Sequence, residues 1–290
     1  MLIEGYVPRM TAATKPPIFA DCETSSGGAR VRYLAAGKGD PLILVHGLGG
    51  AAENWVELAP KLARRHRVIV PDLPGHGGSE PARGATHLGP YADAVLAAAA
   101  ADGIERAVVV GHSLGGVVAL RLALSRPALV RGLVLCSPAG ITSSSRQARI
   151  VIAVSAALRP GRVVAPFRHR LAGRAWYRSA VFGRFFASDA AALSPRATVG
   201  FLDGTARHSD MRGAGRALVG GDPRLELEGV QAPSLVLWGA RDTQLPLDDA
   251  FEYTRRLGAR LRVIADCGHL AIGERPDVCL DAIESFVDRL

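Results

Sequence analysis

A chain of 290 residues that is 48% hydrophobic and 21% charged holds enough apolar material for one large core, or a core with an insertion, without disulfide staples. Its four cysteines, Cys22, Cys136, Cys267 and Cys279, are far apart and form no C-x-x-C pair, which argues against a zinc or redox motif and for free thiols in a reducing compartment. The net charge of +8 is uneven, with thirteen arginines against three aspartates between positions 140 and 220; the rest of the chain is slightly acidic and carries no nucleic-acid recognition module.

Residues 1 to about 17 read as a loose leader. Glu4 and Arg9 interrupt it and no apolar region follows, so a secretory signal is not expected there. A short strand over 30–34 precedes the turn Gly37-Lys38-Gly39-Asp40. Apolar runs then alternate with helical stretches: strands at 42–45, 68–70, 107–110 and 133–135, helices at 52–65, 91–101 and 114–125. Strands at 235–237 and 261–264 and a helix at 278–290 complete the chain. Continuous Val, Ile and Leu runs separated by helices predict an α/β fold, a mostly parallel sheet with helices on both faces. Between about 140 and 222 this rhythm stops. Arginines and the aromatics Phe167, Trp176, Tyr177, Phe182, Phe185 and Phe186 recur at helical spacings, and no strand-like run stands out. We expect a core over 18–139 and 223–290 and an inserted helical cap over 140–222. The longest apolar stretch, 150–158, is too short to span a bilayer, so a soluble cytoplasmic protein is expected.

Ser113 sits between the strand at 107–110 and the helix at 114–125, with glycines at 111 and 115. This G-x-S-x-G spacing suits a serine on a tight strand-to-helix turn, where larger flanking side chains would clash and Oγ rises above the sheet edge. The competing reading is a glycine-rich turn that only starts a helix. The Leu114 N–H, at the helix N-terminus, would face a developing oxyanion. A serine hydroxyl needs a base, and the base needs an orienting acid. Asp242 follows the strand ending at Trp238, and His269 follows the strand ending at Ile264. All three residues therefore fall at the carboxyl ends of strands, where open parallel sheets collect their sites. Asp266 lies nearer His269 in sequence and competes for the acid's role.

Four motifs together resemble the serine branch of the α/β-hydrolase fold, over nearly everything from residue 29 to 290. They are His46-Gly47-Leu48-Gly49, Asp72-Leu73-Pro74-Gly75-His76-Gly77, the serine turn, and the Asp242/His269 pair. The resemblance implies that the second oxyanion donor is the Leu48 N–H, paired with that of Leu114, and that 72–77 is a structural loop. It favours Asp242 over Asp266, because the family keeps its acid in the loop after that strand. The other family position, after Cys136-Ser137, holds no carboxylate. His46 is expected to be a structural hydrogen-bonding residue beside the oxyanion loop. His76 and His112 belong to motifs without an assigned role, and His66, His87, His169 and His208 are expected at the surface or in the cap. No metal spacing links them, and neither metal nor organic cofactor is expected.

The expected chemistry is two-step acyl transfer on a small-molecule ester or acyl substrate, with Ser113 attacking, His269 moving the proton and Asp242 orienting the ring. A serine rather than an aspartate at the turn argues against haloalkane dehalogenase and epoxide hydrolase activity. Carboxylesterase, lipase and thioesterase readings remain, followed by a carbon–carbon hydrolase of vinylogous diketones and a perhydrolase side activity. Against the carbon–carbon reading stand Leu270, where those enzymes commonly carry tryptophan, and Gly50-Ala51 after Gly49. A non-catalytic ligand-binding relative is the alternative of another class. The arginine-rich cap admits three readings: a solvated surface, weak association with an anionic membrane, or an arginine that pairs with a substrate anion. Oligomeric state is not legible.

Overall fold

The computed structural model describes residues 17–82, 84–144, 163–220 and 222–290. The leader and the apolar run at 150–158 lie outside the described residues.

Eight strands form one sheet: β1 (Ala20–Ser26), β2 (Ala29–Ala36), β3 (Pro41–Val45), β4 (Arg67–Pro71), β5 (Ala107–His112), β6 (Val130–Cys136), β7 (Ser234–Gly239) and β8 (Arg260–Ile264). Their spatial order is β1-β2-β4-β3-β5-β6-β7-β8. Pairing is antiparallel from β1 through β2 to β4 and parallel from β4 to β8. The expected α/β sheet is thus present, with one addition. The strand β1, sequence ADCETSS, has no apolar run and is half exposed. It forms a hairpin with β2 through Gly27 and Gly28, both at positive φ, which suits a two-residue hairpin turn.

The central strands alternate their side chains between two apolar layers. On one face Ile43, Val45 and Val109 meet α2 (Gly89–Ala101) and α3 (Leu114–Ser125). On the other face Leu42, Leu44, Val108 and Val110 join Trp55, Leu58 and Leu62. The expected single helix over 52–65 is divided into a 3-10 turn (Ala52–Trp55) and a short helix α1 (Ala59–Leu62). Pro60 explains the division, because it lacks an N–H to donate inside a helix but fits a first turn. His66 is buried against Glu284 rather than lying at the surface.

Between β6 and β7 the described residues contain no strand. They carry α4 (Arg168–Leu171), α5 (Ala175–Phe186), α6 (Pro195–Arg207) and α7 (Met211–Val219). After β7 come α8 (Leu247–Leu257), α9 (Ala271–Glu274) and α10 (Pro276–Val287). The insertion touches the core closely through α6. A methyl group on Gly200 would stand 2.3 Å from the Glu53 carbonyl oxygen, and one on Gly204 would stand 2.5 Å from the Gly50 carbonyl carbon. Asn54 Nδ2 donates to the Gly200 carbonyl at 3.1 Å, and Arg207 lies 2.6 Å from Glu53.

Several arginines of the insertion are engaged within the fold. Arg168 pairs with Asp203, and Arg178 donates to the carbonyls of Ala172 and Ala191. Arg170, Arg174, Arg196, Arg212 and Arg216 are exposed. None of the helices of the described residues is long and apolar enough to cross a membrane. The cysteines form no disulfide; Cys136, Cys267 and Cys279 are buried and Cys22 half-buried.

Candidate active site

The turn at Ser113 has a backbone that few residues adopt: φ is 52° and ψ is −117°. Close approach on both sides enforces it. A methyl on Gly111 would fall 2.3 Å from the Gly115 carbonyl oxygen, and one on Gly115 would fall 2.2 Å from that of Val45. Only hydrogen fits at either position, so the flanking glycines are a steric requirement of the turn. Hydrogen bonds from Ser113 N–H to Cys136 O (3.0 Å) and from Ala139 N–H to Ser113 O (3.1 Å) tie the turn to the end of β6. They hold a strained residue against its intrinsic preference.

The other side chains come from the same sheet edge. Asp242 lies three residues beyond β7 and His269 five beyond β8. His269 Nδ1 is 2.8 Å from Asp242 Oδ2, whereas Asp242 Oδ1 accepts the N–H groups of Gln244 (2.9 Å) and Leu245 (3.0 Å). Burial works to raise the Asp242 carboxyl, but the adjacent His269 ring and these donors hold it below the usual carboxylate range. Asp266, the competing acid, is exposed and pairs with Arg241. The ring nitrogen bonded to Asp242 carries the proton, which leaves Nε2 able to accept one. Ser113 Oγ makes no hydrogen bond among the described residues.

The chain leaving β3 passes beside the Ser113 turn. Gly47 packs onto the serine: a methyl there would stand 3.2 Å from Ser113 Cβ and 3.2 Å from His112 Nδ1. Leu48 follows, and Leu114 is the first residue of α3, whose amide has no partner within the helix. Neither N–H donates to a protein acceptor among the described residues. Met211 of α7 covers Gly49, whose added methyl would meet its Cε at 2.7 Å.

Buried histidines frame the site without titrating into it. His46 accepts the Leu73 N–H at Nε2 (3.0 Å), so Nδ1 donates to the Gly47 carbonyl (2.8 Å), the structural use its motif suggests. Burial lowers its affinity for a second proton. His112 Nε2 donates to the His269 carbonyl at 2.9 Å, and the two rings lie 5.0 Å apart. Burial, then the neighbouring His269, pushes His112 down to about 3, so it is a neutral brace. His76 donates from Nδ1 to Pro74 O (3.0 Å) and burial pushes it down to about 3. His208, in the insertion, is fully buried.

The loop at 72–77 is structural, as expected of its motif. The buried Asp72 carboxylate accepts the N–H groups of Ala52 (2.7 Å) and Gly78 (2.8 Å) and pairs with Arg32 at 2.8 Å. Burial works against the Arg32 charge, but hydrogen bonds to Asp21 and Asp72 outweigh it and raise its pKa. The insertion docks here as well, through Ser209 and Asp210 N–H groups donating to the Gly75 carbonyl (2.7 and 3.1 Å).

Two features beside the site are not singled out by the sequence. The Phe186 carbonyl of the insertion accepts the N–H groups of both His269 (3.0 Å) and Leu270 (3.2 Å). Glu274, 5% exposed, accepts main-chain donors from both sides of the same junction. The available signal for Glu274 was a lone acid closing the apolar run Leu270-Ala271-Ile272-Gly273. Phe186 acts through its carbonyl and leaves no trace in residue type.

Comparison with known proteins agrees with this architecture. A family model described as the alpha/beta hydrolase fold matches residues 40–276. The chain is 36% identical over 265 residues to a pimeloyl-[acyl-carrier protein] methyl ester esterase of Aromatoleum aromaticum, covering 85% of this chain and 97% of that one. It is 30% identical over 281 residues to a 2-hydroxy-6-oxo-6-(2'-aminophenyl)hexa-2,4-dienoic acid hydrolase of Metapseudomonas resinovorans, covering 91% and 90%. It is also 33% identical over 270 residues to a dihydrolipoyllysine-residue acetyltransferase component of the acetoin cleaving system of Cupriavidus necator, covering 89% of this chain but only 65% of that relative's length. The crystal structure of a hydrolase from Pseudomonas aeruginosa PA01 superimposes with a TM-score of 0.74 at 26% identity, covering 93% and 98%. By its family-model match and by its sheet, the chain belongs to the α/β-hydrolase fold family.

Proposed function

We propose that this hydrolase-family chain cleaves a carboxylic ester or thioester through Ser113, His269 and Asp242. The observation that carries the reading is the 2.8 Å Asp242–His269 hydrogen bond on the sheet edge that also bears the strained Ser113 turn. In the proposed cycle Ser113 Oγ turns toward His269 Nε2 and loses its proton to it while attacking the carbonyl carbon. Asp242 stabilises the imidazolium that results, and the Leu48 and Leu114 N–H groups receive the oxyanion. His269 then protonates the leaving alcohol or thiol, and water repeats the sequence on the acyl-enzyme. The insertion acts as a cap over this edge, with Met211 at the oxyanion loop and Phe186 at the histidine.

The relative from Aromatoleum supports an ester as substrate. The relative from Metapseudomonas favours a second reading, carbon–carbon hydrolysis of a vinylogous diketone, while Leu270 after the histidine argues against it. A fluorophosphonate probe should label the wild type and leave Ser113→Ala unlabelled. A series of p-nitrophenyl esters should be turned over faster than a vinylogous diketone. Equal labelling of Ser113→Ala removes the serine from its role, and a diketone turned over far faster than every ester reverses the ranking of substrates.

A further inference from the structure

His269 is held from two directions. From the core, Asp242 fixes its ring and His112 donates to its carbonyl. From the insertion, the Phe186 carbonyl accepts its N–H and that of Leu270. The neighbouring residues of the insertion meet the same loop. Thr243 Oγ1 donates to the Phe185 carbonyl at 3.1 Å, and Gly268 approaches so closely that a methyl on it would stand 2.7 Å from the Ser188 nitrogen.

One buried carboxylate spans this junction. Glu274 Oε2 accepts the N–H groups of Ser188 (2.7 Å) and Asp189 (3.1 Å), both in the insertion. Its Oε1 accepts the N–H of Gly268 (2.7 Å), the residue before His269, with the Cys267 thiol at 3.9 Å. Only a carboxylate offers two acceptor oxygens to donors arriving from opposite sides. A glutamine of the same shape presents one oxygen and one NH2 group. The NH2 would face a donor, so either the insertion or the histidine loop would lose its anchor.

We propose that Glu274 is a positioning residue that makes the seating of residues 185–189 of the insertion a condition for His269 to stand where it serves Ser113. The two segments have no covalent link shorter than the whole of β7, β8 and their connections. Glu274 couples them through three hydrogen bonds to a charged group, the kind that costs most to break when buried. A shift of about 1 Å in a proton-transfer group is enough to slow chemistry roughly a hundredfold. Loosening at Ser188 would therefore be read out at the nucleophile. This inference rests on the serine-hydrolase reading, and its test separates the two.

The test uses the full chain as wild type, Glu274→Gln, Glu274→Asp and Gly268→Ala. Two quantities are read for each: the stoichiometry and rate of fluorophosphonate labelling, and amide exchange over 185–189 and 266–270. For Glu274→Gln we expect full stoichiometry at a rate roughly 10- to 100-fold lower. The KM for a p-nitrophenyl ester should stay within about threefold, the signature of a lost transition-state arrangement. Amide exchange should rise in both segments together. Glu274→Asp keeps the charge at shorter reach and should fall between wild type and Gln. Gly268→Ala wedges the same junction with the carboxylate intact and should slow labelling too. A merely structural role predicts fewer labelled sites at the wild-type rate, and that result overturns the proposal. So does an unchanged rate, or exchange that rises in one segment alone. If Glu274→Gln does not fold, the Asp and Gly268→Ala arms decide by the same criteria. A wild type that takes no label overturns the hydrolase reading, while the exchange arm still reports whether Glu274 couples the segments.

Discussion

The most informative residue is Asp242, because its two oxygens are divided between tasks. Oδ1 takes the amides of Gln244 and Leu245, which leaves Oδ2 for the His269 ring. In Asp242→Asn the carbonyl oxygen would keep the two amides and the NH2 group would be turned onto His269 Nδ1. Donor would then meet donor, and the ring would adopt the tautomer that cannot accept from Ser113. On the proposed mechanism kcat should fall roughly 1,000- to 10,000-fold with KM little changed. Steady-state kinetics on an activated ester check this, and more than a tenth of wild-type kcat in Asp242→Asn would take the residue out of the role. Ser113, Asp242 and His269 each follow an apolar strand, so their common edge was legible in the sequence. The preference for Asp242 over Asp266 came from the family likeness; in the fold Asp242 is bonded to His269, while Asp266 is exposed and bound to Arg241.

Among the elements, the helix α6 repays attention to its smallest residues. Gly200 and Gly204, four apart, bring one face of α6 onto the backbone of residues 50–53, just beyond the His46-Gly49 loop. No side chain fits between them, because each added methyl would lie within 2.5 Å of a main-chain atom. Gly204→Ala should therefore push α6 outward. Overpacking of this kind costs about 1–3 kcal/mol. Thermal unfolding and ester kinetics together check it: a lowered Tm accompanied by a lowered kcat/KM is expected. An unchanged Tm would mean that the contact relaxes without strain. The glycine pair stands plainly in the sequence, but only a partner's backbone gives it meaning. The hairpin strand β1 escaped for the opposite reason. Its polar sequence lacks an apolar run, although Gly27-Gly28 is a turn signal. The helix expected over 52–65 failed at Pro60, where the hydrophobic pattern outvoted a residue that cannot donate.

At the scale of the molecule, buried histidines set the response to acid. His76 and His112 are held at about 3, against an ordinary 6.5 in the unfolded chain. Below about 6.5 the unfolded chain takes up protons that these two refuse when folded, so their contribution is present above that pH and is lost as the pH falls. From pH 7 to pH 5 the stability should drop by about 2–4 kcal/mol. Urea unfolding at the two pH values measures it, and equal midpoints would contradict the burial argument. The sequence located both histidines in motifs but could not reveal that each is sealed from water. The sheet order has a consequence in time as well. The strands β6 and β7 lie side by side, yet about a hundred residues separate Cys136 from Ser234, and closing such a loop costs on the order of 4 kcal/mol of chain entropy. Ser113 precedes that gap, and Asp242 and His269 follow it. A growing chain that has laid down β3, β5 and β6 already displays its serine but possesses neither base nor acid. On the proposed mechanism its hydroxyl stays chemically mute throughout synthesis and is armed only when the last two strands join the sheet.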